Sequence, residues 1–142
     1  MDDSLHRDHT STEPPVTALI MEKLAPGMNF IDVGGNICYY SLLASKIVGN
    51  SGMVISFEPD ERARAYLLKN KDLNSAGNLQ VRSEAVTSYT GNGKLFMDNA
   101  GYIGSSILPV KDREFSTVKT ITLDDMLTSD SPLPKLMLSS HT

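Results

Sequence analysis

Three carboxylates stand near the ends of three apolar runs. Asp32 lies in Phe30-Ile31-Asp32-Val33, Glu58 follows Val54-Ile55-Ser56-Phe57, and Glu84 comes late in the run from Leu79 to Val86. The first run leads directly into Gly34-Gly35-Asn36, and a helix-like segment follows. A strand, a tight glycine turn and a helix N-terminus in that order can hold a nucleotide-like ligand against backbone N–H groups. Glu58 comes 24 residues after Gly34, near the distance at which a carboxylate meets a ribose diol in dinucleotide-binding folds.

Each of these residues also has a plainer reading. Gly34 and Gly35 let the backbone turn and approach a ligand closely, yet a short glycine pair also serves an ordinary strand-to-helix turn. Asp32 can accept from a ligand ammonium, or cap a local turn or helix. Glu58 is followed by Pro59, which removes the next N–H and directs the chain; alone it reads as a solvated loop acid. The glycine turn and the spacing favour a ribose acceptor. Glu84 can take the exocyclic amine of an adenine, with the Ala85 N–H beside it for a ring nitrogen, or it can be an exposed strand-end acid.

The elements that position these residues follow from pattern. Pro14-Pro15 opens a helix, where the missing N–H has no helical partner to lose. Val16, Leu19, Ile20 and Leu24 fall on one face of it, and Pro26-Gly27 ends it. Phe30 to Val33 is a buried strand. A helix from about residue 38 to 48 turns Leu42, Leu43, Ile47 and Val48 toward the sheet. Gly49-Asn50-Ser51-Gly52 is a turn, Met53 to Phe57 a second strand, Glu61 to Leu73 a third helix, and Leu79 to Val86 a third strand. Strands alternating with helices predict an α/β chain with a parallel sheet and right-handed crossovers. Then the rhythm changes. Gly91-Asn92-Gly93 reads as a turn, and Leu95 to Met97, Ser106 to Val110 and Thr117 to Leu123 read as a small β-meander. Thr122-Leu123-Asp124-Asp125 resembles a capping box opening a short helix. Leu136-Met137-Leu138 begins a last strand.

Bulk properties exclude several classes. The 142 residues make one domain at most, with residues 1–13 expected as a disordered tail and 14–142 as the folded part. A net charge of −4 and scattered Lys and Arg leave no basic footprint for nucleic acid. No run approaches the roughly 18 apolar residues of a membrane span, and the polar N-terminus lacks a signal core. The single cysteine, Cys38, forbids an internal disulfide and suits a reducing compartment. A cytoplasmic location is the expectation. His6, His9 and His141 lie in the termini and form no metal-ligand cluster. No nucleophile-elbow triad is present, and no side chain stands out as a catalytic base.

Taken in order, Phe30-Ile31-Asp32-Val33-Gly34-Gly35-Asn36, Tyr39-Tyr40-Ser41-Leu42 and Phe57-Glu58-Pro59-Asp60 resemble the FkbM-type S-adenosylmethionine-dependent methyltransferases. Ala85-Val86, Gly104-Ser105-Ser106 and Val118-Lys119-Thr120-Ile121-Thr122-Leu123-Asp124-Asp125 are similar too. The resemblance runs from about Glu13 to Asp125. It implies a Rossmann-like class I methyltransferase fold, S-adenosyl-L-methionine as cofactor, and methylation of a hydroxyl on a sugar or natural product. Carried over by position, Asp32, Gly34 and Asn36 surround the methionine part, with Gly35 in the same turn. Glu58, with Pro59 after it, holds the ribose. Glu84 and Ala85 flank the adenine.

Two departures from the family pattern carry expectations. Cys38 stands where the pattern has glycine. A side chain there costs about 1–2 kcal/mol if the backbone is left-handed, so weakened cofactor binding is expected; a buried small hydrophobe is the plainer reading. Ser139-Ser140-His141-Thr142 stands where an Asp-x-Glu-Gly type motif ends the fourth strand of the family. The chain is therefore expected to be the cofactor-binding half of a methyltransferase, weakly active or inactive. Its sheet is expected to be incomplete, with the first strand exposed as an edge that promotes self-association. Two other readings compete. One is a fragment of a nicotinamide-dependent oxidoreductase, against which Gly34-Gly35-Asn36-Ile37-Cys38 lacks the G-x-G-x-x-G pattern. The other is a non-catalytic remnant.

Overall fold

The computed structural model describes residues 14–34, 39–98, 105–129 and 136–140. The expected tail over residues 1–13, and with it Gly35, Asn36 and Cys38, lies outside the described residues. Helix α1 (Pro14–Lys23) leads into strand β1 (Asn29–Val33), helix α2 (Tyr39–Val48), strand β2 (Met53–Phe57), helix α3 (Glu61–Leu73) and strand β3 (Leu79–Arg82). Strands β4 (Ala85–Val86), β5 (Gly91–Phe96) and β6 (Phe115–Ile121) follow, then helix α4 (Leu123–Ser129) and strand β7 (Leu136–Ser140).

The main sheet has the order β3-β2-β1-β7, and every pairing in it is parallel. That order starts a doubly wound sheet, with β7 in the place of its fourth strand. One face carries Phe30 and Val54 and is covered by α1, α2 and α3 through Ile20, Ala44, Val48 and Leu67. The other carries Ile31, Ile55 and Phe57 against Ile121 and Met126 of β6 and α4. Burial on both faces explains why β1 and β2 read as continuous apolar runs rather than alternating ones. The second sheet has the order β4-β6-β5. Among the described residues no helix is long and apolar enough to cross a membrane.

Several details differ from the sequence expectations, each for a physical reason. β7 pairs along the whole of β1, from Asn29 beside Leu136 to Val33 beside Ser140. The first strand is therefore internal in this sheet rather than its edge. In α2 the innermost residues are Tyr40, Ser41, Ala44, Ser45 and Val48. Small side chains let the helix lie close to the sheet, while Leu42, Leu43 and Ile47 pack half-buried at its margins. Leu19 of α1 is exposed, whereas Ile20 and Leu24 are buried.

The expected third strand breaks in two. Leu79–Arg82 stays in the parallel sheet, and Ala85–Val86 crosses to the second sheet beside Thr120 and Ile121. This small sheet is mixed, since β4 runs parallel and β5 antiparallel to β6. Gly91-Asn92-Gly93 is strand rather than turn. Gly93 is required there by close approach, because a Cβ on it would lie 2.7 Å from the Tyr89 hydroxyl and 2.9 Å from Thr120 Cγ2. Ser106 to Val110 forms no strand. A single bridge joins Ser106 to Phe96, and the Leu108 N–H then turns back to Ser106 Oγ at 3.1 Å. The cap of α4 is as expected in its first half, with the Asp125 N–H donating to Thr122 Oγ1 at 3.0 Å. Its second half is relayed, since Thr90 Oγ1 accepts the Thr122 N–H and donates to Asp125 Oδ2.

Candidate functional site

The parallel register brings the C-terminal tips of β1, β2 and β3 into one row, with Val33 beside Phe57 and Phe57 beside Arg82. The ladder runs one residue further at each junction. The Gly34 N–H donates to the Phe57 carbonyl at 2.8 Å, and the Glu58 N–H to the Arg82 carbonyl at 2.9 Å. Gly34 and Glu58 therefore sit on adjacent tips, about one strand spacing of 4.8 Å apart. Gly34 has φ +74°, a left-handed backbone that favours glycine and turns the chain sharply off the strand.

The face that α2 covers changes character toward these tips. Phe30 and Val54 lie side by side and fully buried; two residues on, Asp32 and Ser56 lie side by side and equally buried. Ser56 Oγ has no hydrogen-bond partner among the described residues. Ser41, in the first turn of α2, donates its hydroxyl to Asp32 Oδ2 at 2.7 Å, and both residues are buried. A core built only for packing would be apolar here, because a buried carboxylate is costly unless its charge is met.

Glu58 is also buried, and its Oε1 accepts the Asp60 N–H at 2.9 Å. Pro59 directs the chain from this carboxylate into α3. Asp60 is the N-cap of α3, with Oδ1 accepting the Arg62 N–H at 2.9 Å. The Arg62 guanidinium pairs with the same carboxylate at 3.0 Å, and Ser105 donates its hydroxyl to it. Burial pushes the Asp60 carboxyl upward, but the hydrogen bonds from Arg62 and Ser105 outweigh it and hold the group below its ordinary value. Arg64 reaches back to the carbonyls of Glu58 and Pro59 at 3.0 and 3.3 Å. The turn after β2 is thus clamped from three directions.

Glu84 lies at the β3 tip, half-buried, and both its oxygens accept from Arg82, at 2.8 and 3.3 Å. That hydrogen bonding holds the Glu84 carboxyl below its ordinary value. Arg82 in turn lies over the Phe57 ring, 5.3 Å from its centroid. Ala85 is buried where the chain leaves for the second sheet.

The structure therefore places Asp32, Gly34, Glu58, Pro59 and Glu84 at the C-terminal end of the parallel sheet, with Ala85 where the chain crosses to the second sheet. Gly35 and Asn36 lie outside the described residues. Three features were not found in the sequence. Ser41 is nine positions from Asp32 and carries no local signal. Arg82 reads as an ordinary strand residue. Asp60 caps α3 and links to Arg62 and Ser105, roles the sequence reading did not assign to it.

No family model matches the chain, and no curated protein does either. Among solved structures, the chain is similar to a SAM-dependent methyltransferase from Aquifex aeolicus, at 26% identity over 59% of this chain and 48% of that one, with a TM-score of 0.45. It is similar to a protein-L-isoaspartate O-methyltransferase at 29% identity over 50% of this chain and 23% of that one, with a TM-score of 0.46. A putative rRNA-methylase from Clostridium thermocellum matches at 16% identity over 66% of this chain and 56% of that one, with a TM-score of 0.53. The last superposition carries the fold alone: this chain shares its α/β architecture with that structure. The chain spans between 23% and 56% of the length of these three structures.

Proposed function

We propose that this chain binds S-adenosyl-L-methionine along the tips of β1, β2 and β3 and serves methyl transfer to a hydroxyl group. Its motifs resemble the FkbM-type enzymes, which favours a sugar or natural product as the acceptor. The observation that carries the reading is the pairing of a left-handed glycine on one tip with a buried carboxylate on the next. Gly34 lets a ligand approach the backbone where a Cβ would strain it. Glu58 is a charged acceptor of fixed orientation, suited to two adjacent ribose hydroxyls.

The residues present fit this cofactor. Asp32 offers a negative charge for the ammonium of the methionine end. Glu84 keeps acceptor capacity beyond its two bonds to Arg82, because each carboxylate oxygen has a second lone pair, so it can meet an adenine amine beside the Ala85 N–H. When bound, the cofactor supplies an electrophilic methyl group on a sulfonium. The residues of this chain hold and orient; they supply positioning rather than acid–base chemistry.

Calorimetric titration of the 142-residue chain with S-adenosylhomocysteine, with NAD as control, tests the reading. Binding of the former alone, in the micromolar range, is the expected result. Binding of NAD alone would favour an oxidoreductase, and binding of neither would overturn the cofactor assignment.

A further inference from the structure

Ser41 occupies a position that packing alone would give to alanine. It is fully buried in the first turn of α2, and Ala44 serves on the next turn of the same helix. Serine is a weaker helix former than alanine, and a buried hydroxyl is costly unless it is hydrogen-bonded. Here the hydroxyl donates to Asp32 Oδ2 at 2.7 Å. A hydrogen bond of that length to an ionised carboxylate is charge-assisted and directional. It joins β1 to α2, the two elements that flank the glycine turn, and ties down one oxygen of Asp32. The first turn of α2 also places positive backbone potential beside the carboxylate.

We propose that Ser41 is a positioning residue that aims Asp32 at the amino-acid end of the bound cofactor. The inference rests on the cofactor reading given above and extends it to a residue that does not touch the ligand itself. A purely structural staple between strand and helix would make the same bond, so the test must separate the two ends of the ligand. S-adenosylhomocysteine carries the amino-acid end; 5′-methylthioadenosine carries the same adenosine thioether without it.

Calorimetry of the full chain with both ligands makes the separation. Ser41→Ala is expected to weaken S-adenosylhomocysteine binding by about tenfold to a hundredfold, the range for a lost hydrogen bond to a charged group. Its affinity for methylthioadenosine should stay within about twofold of wild type. Should Ser41→Ala fail to fold by circular dichroism, Ser41→Cys gives the same readout, since a slightly larger thiol fills the site but donates weakly. Equal loss for both ligands, or loss for neither, overturns the proposal while leaving the cofactor reading intact. A wild-type chain that binds neither ligand overturns both.

Discussion

Glu58 and Glu84 end neighbouring strands of one sheet, yet they are held in opposite ways. Glu58 is buried, and the Asp60 backbone N–H donates to one of its oxygens. Glu84 is half-exposed, and both its oxygens accept from the Arg82 guanidinium. The first has one oxygen held by a neutral backbone donor. The second is already neutralised by a cation on its own strand. On the cofactor reading proposed above, Glu58 is the main ligand acceptor and Glu84, already bonded to Arg82, the lesser one.

Substitutions at these positions should separate the two roles. The largest effect is expected from Glu58→Ala. Removing a charged acceptor of two hydroxyls forfeits about 1.5–3 kcal/mol per bond, so S-adenosylhomocysteine affinity should fall by about a hundredfold or more in calorimetry. Next comes Gly34→Ala. At φ +74° it should cost about 1–2 kcal/mol of stability, read as a lower urea midpoint.

Asp60 sharpens the comparison through pH. Its folded-state pKa lies below the ordinary 3.8. Its contribution to stability is therefore complete above that value and is lost as the pH falls through it toward the lower folded pKa. Asp60→Asn keeps a side-chain cap but loses the charge. It should destabilise the chain by about 1 kcal/mol at neutral pH, the difference between charged and neutral hydrogen bonds. It should also flatten the acid limb of stability, measured by urea melts from about pH 5 down to about pH 2. The smallest effect is expected from Glu84→Gln. A half-exposed ion pair contributes about 0–1 kcal/mol, so stability should barely move and ligand affinity should fall only a few-fold. If Glu84→Gln instead matched Glu58→Ala in its loss of affinity, the division of roles between the two tips would be wrong.

The contrast also marks what sequence reading could reach. The glycine turn, the acid before Pro59 and the spacing between them were legible because each depends on local backbone chemistry: a tight turn, a missing N–H, a strand of set length. The alternation of apolar runs and helical faces predicted the parallel sheet, because burial on both faces leaves a continuous apolar record. The division of Leu79 to Val86 between two sheets was not legible. Both halves are suited to strand, and the break comes from the crossing to Thr120, distant in the chain. Gly91-Asn92-Gly93 carried a turn signal that antiparallel pairing with Thr120, Lys119 and Val118 of β6 overrode.

By itself, then, the sequence determined the element order as far as Arg82, the parallel sheet and the tips at which Asp32, Gly34 and Glu58 stand, because these follow from hydrophobic period and local dihedral preference. Only the tertiary structure gave Asp32 a hydroxyl donor, Glu58 a backbone N–H and Glu84 a guanidinium. It alone covered β1 with β7, brought Ser41 onto Asp32 and joined Ser105 to Asp60. Such pairings are made by side chains that the fold brings together across elements, and no local pattern in the chain records them.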